Sequence, residues 1–287
     1  MKSSIEIRTK DGTILSLNQY EPDETTGKVI IIASTAELTK EFYDSYASFM
    51  CEQGFTVIAF DFRGMGSSRP GDLRNYKASM HQWAVLDIDA VILHAKIKYP
   101  KQEIIYLGHC TGGEIVGLAP ASQYINKLVL VSSALSCKKY WAWKSRLKIS
   151  WLSMTAAIRS KWYGYFPGKK VGFPVDFPSG VMKQYFNWCN STNGLFDSFP
   201  DNNYRKLKIP ILAINFSDDW HSPEKAVKEL HNRFACANIT WQYLQPQDLG
   251  VTQIGNRGFF YPEMETILWK DTLQWLTADE RERIKTA

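Results

Sequence analysis

The chain has little with which to build a metal centre or a disulfide framework. Its cysteines, Cys51, Cys110, Cys137, Cys189 and Cys236, are odd in number, widely spaced and free of any C-x-x-C pair. That pattern excludes a cysteine zinc site and a stapled secreted scaffold, and it suits a reducing compartment. No run of about 18 apolar residues is present to span a bilayer. The first eight residues alternate polar and apolar without the apolar centre of a signal peptide, so a cytoplasmic protein is expected. Strong charge of one sign is missing too. A net charge of +5 over 287 residues is too small to argue for nucleic acid, and no aromatic-basic cluster matches a nucleic-acid-reading motif. Histidine is also scarce. His81, His94, His109, His221 and His231 are all there are, which limits any acid–base chemistry to a short list.

What is present is ordinary globular composition, 45% hydrophobic and 22% charged, in a chain long enough for one large α/β core. Residues 4–9 and 13–20 alternate around Asp11-Gly12 and read as a β-hairpin. Residues 28–33, 55–60, 103–108 and 127–132 are short apolar runs, the mark of strands buried on both faces, and 209–215 and 237–244 read as further strands. Between them, residues 39–52, 80–99, a stretch from about 112, 223–234 and 263–276 carry helical spacing. Such alternation predicts a mostly parallel sheet covered on both faces. The rhythm breaks over 136–201. That stretch holds Trp141, Trp143, Trp151, Trp162 and Trp188, and residues 136–200 carry ten lysines and arginines against only Asp176 and Asp197. The expected organisation is a core of 1–135 and 202–287 with an inserted aromatic, basic, helical cap at 136–201.

The chemistry centres on Ile104-Ile105-Tyr106-Leu107-Gly108-His109-Cys110-Thr111-Gly112-Gly113. This reads as strand, sharp turn and helix, with glycine two residues before and two after Cys110. A nucleophile elbow needs small residues at those two places because the backbone doubles back on itself. Cysteine at a helix N-terminus is expected to favour the thiolate. The oxyanion donors of such a site are the N–H after the nucleophile, here Thr111, and one from the loop after the third strand, where Thr35 is the candidate.

Further segments carry a resemblance. Asp61-Phe62-Arg63-Gly64-Met65-Gly66-Ser67-Ser68 resembles the D-x-R-G-x-G-x-S stretch of many α/β-hydrolases. Phe216-Ser217-Asp218-Asp219-Trp220-His221-Ser222-Pro223 resembles their loop bearing the triad acid, the proline spacing selecting Asp219 over Asp218. Gly164-Tyr165-Phe166-Pro167-Gly168-Lys169-Lys170, Pro178-Ser179-Gly180-Val181-Met182 and Trp188-Cys189 resemble a group of uncharacterised bacterial α/β-hydrolases. The resemblance implies an α/β-hydrolase fold, mostly parallel central sheet with helices on both faces and an inserted helical cap.

The chain departs from that pattern twice. Cys110 stands where serine is usual. Ile254-Gly255-Asn256-Arg257-Gly258-Phe259-Phe260 carries Asn256 where the resemblance implies the triad histidine. Asparagine cannot accept a proton at neutral pH. His221, two residues beyond Asp219, is the one histidine expected to reach toward Cys110; His109 is expected to point away from it, and the other three to be core or surface residues. The two departures fit together, because a cysteine tolerates loss of its base better than a serine does. The expected function is acyl transfer or thioester handling through a Cys110 acyl-enzyme passed to a non-water acceptor. The substrate is then a small-molecule acyl compound, bound to coenzyme A or a carrier protein, with no metal and no further cofactor. A catalytically silent pseudohydrolase binding an acyl or aromatic ligand, and an esterase or thioesterase using His221 as base, are the alternatives. The basic, tryptophan-rich stretch 138–161 also fits peripheral contact with an anionic membrane.

Overall fold

A computed structural model describes residues 1–278; residues 279–287 of the expected core lie outside the described residues. β1 (Lys2–Arg8) and β2 (Ile14–Tyr20) form the opening hairpin, and Gly12 takes the left-handed turn position at φ 86°. β3 (Lys28–Ala33), β4 (Thr56–Phe60), β5 (Glu103–His109), β6 (Lys127–Val131), β7 (Pro210–Phe216) and β8 (Asn238–Leu244) complete one sheet of order β1-β2-β4-β3-β5-β6-β7-β8. The pairs β1–β2 and β2–β4 are antiparallel, and the rest are parallel.

The strand sequences explain their burial. Successive side chains alternate faces, so Ile31, Ala33, Ile58 and Phe60 pack into one core while Ile30, Ile32, Val57 and Ala59 pack into the other. The helices that cover the sheet are α1 (Asp44–Glu52), α2 (Met80–Gln82), α3 (Asp89–Lys98), α4 (Thr111–Glu114), α7 (Glu224–His231) and α8 (Lys270–Thr277). Residues 80–98 do not form the single α-helix that their periodicity suggests. A π-helical segment, Trp83–Ile88, joins α2 to α3. Its wide turn faces both Trp83 and Asp87 inward, where Trp83 stacks on Phe62 at 4.7 Å and Asp87 holds Arg63.

The Asp61–Ser68 segment works as a structural clamp beside the site. Asp61 is fully buried and accepts from Lys40 N at 2.8 Å, Lys40 Nζ at 3.1 Å and Ser67 N at 2.8 Å. Arg63 donates from Nε to Asp87 Oδ1 at 2.7 Å and pairs through a second guanidinium nitrogen with Asp11 at 2.6 Å. Breaking such buried pairs leaves an uncompensated charge, so the motif holds the chain by constraint more than by net energy.

Between β6 and β7 the chain leaves the sheet for α5 (Trp143–Tyr163), α6 (Ser179–Asn190), short 3₁₀ turns and one antiparallel bridge, Phe166 to Phe177. α5 ends on Gly164, left-handed at φ 76°. α6 turns Val181, Met182, Phe186, Trp188 and Cys189 inward.

Candidate active site

Cys110 sits where β5 turns into α4, with φ 50° and ψ −109°. A non-glycine residue rarely adopts that conformation, and the surroundings enforce it. Cys110 N donates to Val131 O at 2.9 Å, and Glu114 N donates back to Cys110 O at 2.9 Å. A Cβ at Gly108 would lie 2.3 Å from Gly113 Cα, and one at Gly112 would lie 2.4 Å from Ala33 O. Both contacts are with backbone, so neither can yield cheaply. The elbow therefore needs both glycines.

The expected thiolate does not follow. Burial, with the Asp219 charge behind it, pushes the Cys110 thiol up to about 12, while the Thr35 hydroxyl pulls weakly the other way. Cys110 keeps some exposure, but it opens onto a cavity rather than bulk water. α4 has only four residues, too short a run of aligned peptides to outweigh dehydration. Cys110 is thus held as a neutral thiol at rest.

The cavity over Cys110 measures about 50 Å³. Thr35, Ala36 and Thr111 line it from the core, Ser136, Phe177 and Tyr185 from the segment between β6 and β7, and His221 from the loop after β7. The sheet topology creates this meeting, since β3, β5, β6 and β7 are parallel neighbours and their following loops share one edge. A wider depression of about 410 Å³ adjoins it, lined by Asp219, Asn256 and Arg257 among others; Glu37 and His221 face both spaces. Glu37 and Arg257 pair at 2.7 Å at this junction.

Asp219 collects four groups. Its Oδ1 accepts the His221 backbone N–H at 2.9 Å and lies 3.8 Å from His221 Nδ1. Its Oδ2 accepts Ser222 Oγ–H at 2.6 Å and Asn256 Nδ2–H at 3.0 Å. Asn256 therefore holds the acid through a side-chain hydrogen bond. Asp218 has a different task, accepting the N–H groups of Ile254 and Gly255 at 2.9 Å each and so fixing the loop that carries Asn256. His221 Nδ1 is buried and has no hydrogen-bond partner among the described residues. Burial lowers the ring to about 4 despite the pull of Asp219, so His221 is neutral at pH 7.

His109 points away from the cavity, as its place before the nucleophile suggests, yet it is more than a bystander. It is fully buried, with Nε2 at 2.8 Å from Asn256 O and Nδ1 at 2.7 Å from Tyr43 Oη. A carbonyl can only accept, so Nε2 carries the proton and Tyr43 donates to Nδ1. Tyr43 Oη in turn accepts Thr35 N–H at 3.1 Å. One chain of hydrogen bonds thus ties the loop after β3, the elbow and the Asn256 loop together. Burial keeps His109 neutral at pH 7, lowering its pKa to about 4.

The same chain corrects the choice of Thr35 as an oxyanion donor. Its N–H is committed to Tyr43. Ala36 N–H and Thr111 N–H donate to no acceptor among the described residues, and both residues line the cavity. These two N–H groups, and not that of Thr35, are left open to the cavity. Glu114, which belongs to no recognised motif, is buried one turn beyond Cys110. Its carboxylate accepts Ser136 N–H and Ser136 Oγ–H, each at 2.6 Å, and burial raises it to about 7. The only signal was a charged residue directly after two glycines that must be buried. Among the described residues, no group of three or more histidine, cysteine or acidic side chains is placed to hold a metal, and no helix is long and apolar enough to cross a membrane.

This fold and elbow define the α/β-hydrolase class. Residues 23–175 match the serine aminopeptidase S33 family, and the chain belongs to that family of α/β-hydrolases. Among solved structures it resembles an esterase from Exiguobacterium antarcticum, at 15% identity, TM-score 0.63, over 96% of this chain and 100% of the other. An esterase from Pyrococcus furiosus matches at 18% identity, TM-score 0.62, over 96% and 89%. A Xanthomonas campestris protein described as an α/β serine hydrolase without lid matches at 13% identity, TM-score 0.55, over 97% and 96%. These likenesses concern the fold. No curated protein matches in sequence.

Proposed function

We propose that the protein cleaves activated acyl esters or thioesters through an acyl-enzyme on Cys110, with His221 as the base. The observation that carries this reading is that His221 and Cys110 line one cavity while His221 Nδ1 sits unpartnered 3.8 Å from Asp219. With its proton on Nδ1, facing the acid, His221 leaves the Nε2 lone pair to take the thiol proton. The sulfur–carbon bond forms, and the carbonyl oxygen takes up negative charge between Ala36 N–H and Thr111 N–H. The carbon–oxygen or carbon–sulfur bond of the substrate then breaks, and the leaving group receives the proton from His221. An acceptor delivered from the wider depression releases the acyl group by the reverse sequence.

Transfer to an acceptor other than water is the second reading, and Asn256 favours it. Asn256 fills the hydrogen-bond site on Asp219 Oδ2 without being able to accept a proton, and His221 stands 3.8 Å from the other oxygen, Oδ1, too far for a hydrogen bond. Water is then a poor competitor with an amine, thiol or carbon nucleophile that brings its own binding energy. Single-turnover kinetics with short acyl thioesters test the main reading. A covalent adduct on Cys110 that forms quickly, and at least ~10²-fold more slowly in His221→Ala, supports it. An adduct that forms equally fast without His221 refutes the role given to that residue.

A further inference from the structure

α5 carries an apolar face that none of the described residues covers. Trp143, Leu147, Trp151, Met154, Ile158 and Trp162 are between 54% and 82% exposed. Their spacing of four, four, three, four and four residues is that of one helical stripe; at 3.6 residues per turn they fall within an arc of about 100°. The buried residues of the same helix, Ile149, Leu152 and Ala156, lie on the opposite side. Six large apolar side chains in one line along a helix of about 30 Å far exceed the scattered exposure usual on a soluble surface.

The flanks of the stripe are basic. Lys144, Lys148 and Arg159 border one edge by the same helical arithmetic, and Arg146 and Lys161 stand at or near the other. α5 contains no acidic residue, and none of these five cations pairs with a carboxylate among the described residues. Arg159 instead lies over the Trp151 ring at 4.5 Å, and Lys144 lies over Trp143 at 5.7 Å.

We infer that α5 docks the protein on an anionic lipid bilayer, lying in the interface with its apolar stripe buried among the acyl chains. Charge decides between occupants. A second copy packing stripe to stripe about a two-fold axis would set one all-basic helix against another, with no acid on either to compensate. An anionic headgroup layer meets the same cations with opposite charge. Half of the stripe is tryptophan, whose amphipathic ring favours the headgroup level of a bilayer. This inference is independent of the chemistry assigned to Cys110. It does bear on supply of substrate, because α5 packs on α6, and α6 contributes Met182 and Tyr185 to the cavity.

Vesicle flotation of the full chain tests it, with phosphatidylcholine alone and phosphatidylcholine mixed with phosphatidylglycerol. The protein should float with the anionic vesicles, with a blue shift of tryptophan emission, and should be released by high salt. Lys144→Gln with Lys148→Gln should weaken partitioning about 30-fold, at the usual worth of a surface cation. Leu147→Ser with Ile158→Ser should abolish it while leaving the melting temperature unchanged, because both side chains are already exposed. A folded wild type that ignores anionic vesicles overturns the inference. So does equal binding by the wild type and both double variants, or a concentration-dependent dimer that Leu147→Ser with Ile158→Ser converts to monomer without any vesicle binding.

Discussion

At the scale of single residues, the site is one of displaced roles. Asn256 occupies the hydrogen-bonding position on Asp219 that the resemblance implies for a histidine, and His221 stands on the other carboxylate oxygen's side with its ring open to the cavity. If His221 is the base, acylation should be level from pH 8 down to about pH 5. It should fall only below that, as the ring protonates near 4, because a protonated imidazole has no lone pair to offer. A stopped-flow pH profile checks this, and an acid limb near 6.5 would point to a solvated histidine instead. Asn256→His should place an imidazole against Asp219 Oδ2 and raise hydrolysis of short thioesters by about 10²-fold. An unchanged rate in the folded variant would mean that position 256 cannot face the nucleophile.

At the scale of elements, the elbow and the loop after β7 were legible because their constraints are local. Gly108 and Gly112 are required by backbone contacts within a few residues or across one strand pair, and such requirements leave a readable spacing. Gly112→Val should destabilise the fold by about 2–4 kcal/mol, since its Cβ meets the Ala33 carbonyl at 2.4 Å. Urea unfolding measures it, and a loss under about 1 kcal/mol would show that the elbow can relax. The state of the Cys110 thiol was not legible, because dehydration depends on Phe177, Tyr185 and Ser136 folding over it from more than twenty residues away in sequence. The hydrogen-bond chain through Tyr43 and His109 was hidden for the same reason. Nothing in the spacing of Thr35, Tyr43, His109 and Asn256 announces that they touch. The mostly parallel sheet needed no such long-range detail, since buried parallel strands read as apolar runs whatever covers them.

At the scale of the whole molecule, buried titratable groups set opposing trends with pH. His109, His221 and His231 are each lowered to about 4, chiefly by burial. Each contributes stability that is present above 6.5 and is lost as pH falls toward 4. Asp87 and Glu114 are each raised to about 7, again chiefly by burial; their contribution is present below about 4 and is lost as pH rises through 7. His81 and His94 are lowered by burial in the same sense as these histidines, and Asp61 is raised in the sense of these carboxyls. Five histidines against three carboxyls leave the unfolded chain binding more protons near pH 5.5, so stability should rise with pH there. His231→Gln, remote from the site, should flatten that slope, which urea midpoints at pH 5, 5.5 and 6 would show.

The central claim is that this family member makes its acyl-enzyme on Cys110 with help from His221. Intact-protein mass spectrometry after brief mixing with a panel of acyl thioesters addresses it most directly. One acyl group should appear on the wild type, map to Cys110, be absent from Cys110→Ala and accumulate far more slowly in His221→Ala. An adduct on the exposed Cys236 in place of Cys110, or no adduct at all from a folded protein that binds the thioesters, would contradict it.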